Sequence, residues 1–60
     1  MEKWQESLRQ MFRIPEGSAI EGFNDERKIV EIRAEVSLEM AREIERVVRE
    51  SGAGYEVKQL

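Results

Sequence analysis

The residues of this chain with the clearest capacity for chemistry are its acids. Glu31, Arg33 and Glu35 alternate within "VEIRAEV", and Glu56 and Lys58 alternate within "YEVKQ". Two carboxylates on one face of a sheet could hold a cation or share acid and base work. Arg33 and Lys58 are interspersed among them, and mixed-sign residues on neighbouring strands form cross-strand pairs that keep a face wet. An open sheet face also lacks the burial that shifts a carboxyl pKa. The expectation for this set is a solvated exterior. Asp25 and Glu26 in "NDER" offer oxygens for Ca²⁺, but without the ligand spacing of an EF-hand loop. "EGSAIEG" carries two glycines and is neither a dinucleotide fingerprint nor a P-loop. "SGAG" follows a predicted helix instead of preceding one, so it has no helix N-terminus with which to cradle phosphate.

What the chain lacks narrows the chemistry further. It contains no His and no Cys. Ser–His–Asp and Cys–His nucleophile systems cannot be built from it, and neither can a disulfide. The commonest transition-metal ligand is also missing. The expectation is therefore a protein that is not an enzyme and has no catalytic, cofactor-binding or metal-binding residues. Net charge is −3, from 13 acidic and 10 basic residues. Nucleic-acid binders carry a basic excess because phosphate neutralisation dominates their affinity, so no nucleic-acid partner is expected. No apolar run is long enough to span a membrane. "MEKWQESLRQMF" lacks the continuous apolar stretch of a signal peptide, so the expectation is a soluble protein without an encoded export signal, cytoplasmic on expression, with its native location left open.

Sixty residues make a single domain, 1–60, near the lower limit for folding without staples. Ordering costs about 1.5 kcal/mol per residue, so most large apolar residues must be core residues. In Glu2–Phe12, the residues Trp4, Leu8, Met11 and Phe12 form one helical stripe. Pro15 ends that helix near Arg13. Pro15–Ser18 is a turn in which Gly17 can take a positive φ. "AIEGF" (Ala19–Phe23) is a short strand, where Gly22 marks a bulge or a close crossing by another side chain. Asn24–Arg27 forms the hairpin tip, a loop of four or five residues around a type I turn.

From Val30 to Val36 the pattern alternates, with Val30, Ile32, Ala34 and Val36 inward. At Ser37 the period switches from strand to helix, and Ser37 is a good N-cap. Val36 and Ala41 fit a hydrophobic staple. Met40, Ala41, Ile44, Val47 and Val48 form the buried stripe, with Glu45–Arg49 and Arg46–Glu50 pairs outside. Gly52 sits where a helix-terminating glycine belongs. Tyr55 and Val57 then face inward on a last strand, with Glu56 and Lys58 outward.

The predicted order is α-β-β-α-β. The β-α-β unit implies parallel pairing of the last two strands, with a right-handed crossover. The first two strands form an antiparallel hairpin. Every strand has one charged face, so both helices should cover one side of a three-stranded mixed sheet. The fold class is α+β, as a two-layer α/β sandwich.

Two resemblances emerge from these elements. "VEIRAEVSLEMAREIERVVRESGAGYEV" resembles the closing β-α-β of ferredoxin-like domains, such as the activation domain of procarboxypeptidases, and covers about half the chain. The whole order is similar to a ferredoxin-like fold lacking its first strand. That loss implies a rearranged three-stranded sheet, or a gap filled by a second chain. Ferredoxin-like folds host unrelated functions, so the likeness implies no activity. The immediate cap in "VSLEMAREIERVV", the compact "SGAG" loop and the Glu/Arg/Lys surface are similar to computationally designed (de novo) mini-proteins. "NDER", Gly22 and the core methionines Met11 and Met40 depart from that ideal.

Among candidate binding residues, Trp4 and Phe12 could anchor a partner, but in so small a core they are expected to dock the first helix. If Ile20 faces the helices, strict alternation puts Phe23 on the open face with Ala19 and Glu21. A bulge at Gly22 would turn Phe23 inward, and this placement is favoured. The expected role is a folding scaffold with no native biochemical function and no required partner. The alternative is a small protein–protein interaction module using helix 1 or an exposed strand edge, including a homodimer through a strand edge; of the two edges, that of the first strand is poorly guarded. An acidic mimic of nucleic acid is disfavoured because acids and bases interleave.

Overall fold

The computed structural model describes all 60 residues. The first helix, α1, spans Lys3–Met11. Leu8 and Phe12 are buried and Trp4 half-buried, as the stripe requires, but Met11 is 58% exposed. The helix ends at Met11, and Phe12 is already extended, so Met11 is carried on the outer shoulder of the last turn. At the other end, Gln5 Oε1 accepts the Glu2 backbone N–H at 3.1 Å, reaching back as in a capping box.

The stretch read as a simple turn is a small hairpin. Strands β1 (Arg13–Ile14) and β2 (Gly17–Ser18) pair antiparallel around Pro15–Glu16, with Gly17 at φ +135°. Two-residue strands have no room for a visible period, which is why spacing could not reveal them. The order is thus α-β-β-β-β-α-β. Ala19 is fully buried where this ribbon meets the main sheet, not on the open face. Its N–H donates to the Phe12 carbonyl at 2.9 Å, and its carbonyl accepts from Arg33 N–H at 3.0 Å.

The main sheet contains β3 (Ile20–Asn24), β4 (Ile29–Ile32) and β5 (Glu56–Gln59), in the order β3-β4-β5. β4 is antiparallel to β3 and parallel to β5. β4 and β5 hydrogen-bond directly, so no strand-wide gap separates them. Ile20 pairs with Ile32, but Gly22 pairs with Glu31, so β3 carries one extra residue at a bulge. The bulge resets the alternation, and Phe23 lies opposite Val30, inward. A Cβ on Gly22 would meet only Glu31 Oε1 at 4.0 Å, so no close crossing demands this glycine.

The hairpin loop is Asp25–Lys28, one residue later than the pattern suggested. Asn24 Oδ1 accepts Arg27 N–H at 3.0 Å, and Lys28 closes the loop in the left-handed region at φ 60°.

β4 is shorter than its alternating letters. It ends at Ile32, and the chain turns through Ala34–Glu35, closed by Val36 N–H to the Arg33 carbonyl at 3.2 Å. The turn lifts the chain toward the helical layer. Ala34 is exposed, whereas Val36 is buried with Ala41 in the expected staple. Gln59 Nε2 ties this turn down, lying 3.2 Å from the Arg33 and Ala34 carbonyls and 2.8 Å from that of Val36. Helix α2 (Leu38–Ser51) starts with Ser37 Oγ accepting Met40 N–H at 3.1 Å and stops at Gly52, φ +73°. On its outer side Arg46 pairs with Glu43 and, at 3.1 Å, with Glu50, and Glu45 and Arg49 form no ion pair.

Both helices cover the same side of the sheet. Leu8 from α1, Phe12 just after it, and Ala41, Ile44 and Val48 from α2 join Ile20, Val30 and Ile32 in one core. The opposite face carries Glu31 beside Lys58 and Ile29 beside Glu56. Leu8 and Met11 share one helical stripe but not one environment. Leu8→Ala should cost about 2–5 kcal/mol of unfolding free energy, and Met11→Ala within about 0.5 kcal/mol, in urea titration.

Candidate functional site

The acidic residues singled out by spacing do not converge. Glu31 is registered against Lys58, and Glu56 against Ile29. Arg33 lies beyond the strand end, 3.9 Å from Glu21, and Glu35 sits in the turn. No three of the acidic side chains are placed so that they could hold a metal ion together. The two glycines of "EGSAIEG" fall on separate strands, and "SGAG" closes α2.

The polar cluster that does form is centred on Asp25. Gln5 is 2% exposed on the inner side of α1. Its Nε2 donates to Asp25 Oδ1 at 2.9 Å. The Tyr55 hydroxyl, at the entry to β5, donates to the same oxygen at 2.6 Å. Asp25 sits at the tip of the β3–β4 hairpin, so one carboxylate joins the first helix, the hairpin and the last strand.

An aromatic layer lies beneath. The Trp4 ring meets Phe23 edge-on at 5.6 Å and 82°, and Tyr55 at 4.9 Å and 69°. Offset and edge-on contacts of this kind add to simple burial because ring edges and faces carry opposite partial charge. Two cations complete the layer: the Arg9 guanidinium is 5.9 Å from the Phe23 ring and the Lys28 ammonium 5.4 Å from that of Tyr55. Trp4 and Phe12 therefore dock α1, as the size of the core required.

Electrostatics make the cluster a clamp. The Tyr55 hydrogen bond, followed by that from Gln5, holds the Asp25 carboxyl below its usual value, with Lys28 adding in the same sense. The hydrogen bond to Asp25, followed by desolvation, pushes Tyr55 up to about 12. A carboxylate with a lowered pKa is a weak base, and a phenol with a raised pKa is a weak acid, so near neutrality neither is poised to move protons.

Sequence reasoning missed Gln5. It lies three residues before Leu8 and seven before Phe12, which is a position within the apolar stripe. A polar residue there is the signal that a buried hydrogen-bond partner must exist. Nothing local could name Asp25 or Tyr55, which are 20 and 30 residues from their partners Gln5 and Asp25.

Two shallow grooves flank this core. One, of about 540 Å³, runs between α2 and β5, with Val48, Tyr55 and Val57 at its base and Glu45, Arg49 and Glu56 at its rim. The other, of about 350 Å³, lies between the helices, lined by Trp4, Leu8, Met11 and Val47.

Tyr55 is the sole tyrosine, so its phenolate absorbance reports this site alone. Its native titration should centre at about 12 and move toward 10.0 in Asp25→Ala. Because the folded state holds the phenolic proton more tightly, Tyr55 stabilises fully below pH 10.0 and loses that contribution between 10.0 and about 12. Asp25 has the opposite sign: its contribution is present above its ordinary value of 3.8 and disappears as pH falls below it. Urea unfolding across both windows should show each loss in the parent and a smaller loss in each window in Asp25→Ala, where desolvation still raises Tyr55 and Arg46 still lowers Glu43.

No protein-family model, no curated protein and no solved structure matches this chain.

Proposed function

We propose that this chain is a folding scaffold with no native biochemical activity, of the designed mini-protein kind. The observation that carries the proposal is that its best-placed polar groups are occupied by hydrogen bonds within the chain. Asp25, Tyr55 and Gln5 satisfy one another, and Gln59 is occupied with the carbonyls of the β4–α2 turn. A site that acts on a ligand leaves donors or acceptors aimed at where the ligand will sit. Here the side chains with that capacity hold secondary-structure elements together.

The agreement of local and global signals supports the same reading. Ser37 caps α2 where the hydrophobic period switches, and Gly52 takes the left-handed conformation where the helix must stop. The apolar stripe of α2 is the face that is buried. Such consistency across levels is what a sequence chosen for its fold displays. A second reading, an interaction module, draws support from the outer edge of β5, which pairs with no other strand in the chain.

Idealised scaffolds fold alone and are typically hyperstable. The expected outcome is reversible two-state unfolding of the isolated chain, with a thermal midpoint above about 90 °C followed by far-UV circular dichroism. A chain that is unstructured until a partner is added would overturn the proposal.

A further inference from the structure

We infer that β5 is a self-complementary edge through which two copies of this chain pair, continuing the sheet across a two-fold axis. The inference goes beyond the scaffold reading, which requires only that one chain fold.

The sheet has two edges, and they are not equivalent. On β3, Arg9 reaches from α1 to the outer carbonyl of Glu21, with Nη2 at 3.4 Å, and its guanidinium lies over Phe23. That edge, expected to be the poorly guarded one, is covered by a charged side chain. No such cover lies over β5. Glu56 N–H donates inward to the Lys28 carbonyl at 2.9 Å, and Leu60 N–H to that of Ile32 at 3.0 Å. Backbone groups of a strand alternate sides, so the N–H and C=O of Val57 and Gln59 point away from β4. The Gln59 side chain turns back to the β4–α2 loop and leaves the edge bare.

Charge selects the register. An antiparallel pairing centred on Val57 sets Val57 against its own copy. It places Glu56 opposite Lys58 of the second copy, and Lys58 opposite Glu56. Centring on Lys58 would oppose two ammonium groups, and like charges directly opposite are destabilising. Both Glu56 and Lys58 are exposed on the open face, where these pairs would form.

The helical layer follows the same symmetry. Glu45 and Arg49 line the groove beside β5, on the side of α2 away from the Val47 and Glu50 surface that meets α1. They form no ion pair within the chain. A two-fold axis at Val57 runs the two α2 helices in opposite directions, so Glu45 and Arg49 of one copy meet the same pair in reversed order. The contact is small, and interfaces of that size are weak.

Sedimentation equilibrium from about 10 μM to about 1 mM tests the inference, in the range where weak pairing is populated. The unmodified chain should rise from the mass of one chain toward that of two. Lys58→Glu alone, and Glu56→Lys alone, each oppose like charges twice and should self-associate roughly tenfold more weakly. An equimolar mixture of the two variants restores opposite charges at both positions and should recover the dimer. That recovery also shows that both variants fold. The inference is overturned if the unmodified chain keeps the mass of one chain at about 1 mM, or if the single variants pair as well as it does.

Discussion

Burial of Val30 and Ile32 beneath two helices is the constraint on which the rest of this fold depends. β4 is the central strand, and these residues present its only apolar face. In a chain of 60 residues there is not enough apolar material to cover both faces of a sheet. One face is therefore dry and the other wet, and both helices must lie on the dry side. The bulge in β3 follows from the same demand. Without the extra residue, strict alternation would leave either Ile20 or Phe23 outside the core. With it, both face the helical layer, opposite Ile32 and Val30.

The early end of β4 has a related cause. Had the strand continued to Val36, α2 would have started at the level of the sheet. Turning at Ala34–Glu35 raises the chain, so that Val36 enters the core from above and staples the first turn of α2. The cost is a row of carbonyls at the turn, and the Gln59 amide meets them. The last strand thus secures the loop that makes its own crossover possible. At the other end of the sheet, the Asp25 carboxylate plays a comparable part. It accepts from Gln5 and Tyr55 and links three elements that the apolar core alone would leave free to shift. Gln5 is the buried member of this set, so a slip of these elements would leave its amide unpaired in the core.

The open and closed edges of the sheet express a difference in what lies beside them. α1 packs beside β3, and its Arg9 side chain reaches the Glu21 carbonyl. β5 has α2 above it and only solvent beyond. Its alternating Glu56 and Lys58 keep the wet face polar, yet their opposite signs make the strand complementary to itself. A device that protects an edge by charge works best when the charges are alike, and here they are not.

Much of this architecture was legible in the letters. The switch of period at Ser37, the capping serine and the terminating Gly52 defined α2, because capping and amphipathic patterning act within a few residues. The α+β class and the single covered face followed from strands with one charged side. Other features needed the tertiary structure. The β1–β2 ribbon is too short to carry a period. Ala34 continues an alternating pattern that the chain abandons, because where a strand ends depends on where its successor must begin. Met11 belongs to the stripe of α1 by spacing, but lies outside the patch that the sheet can reach. The Asp25 cluster is the clearest case. Gln5 in an apolar stripe announced that a partner was needed, but the partners are distant in sequence. Hydrogen bonds between remote residues depend on how elements pack, and packing is settled only when the whole core closes.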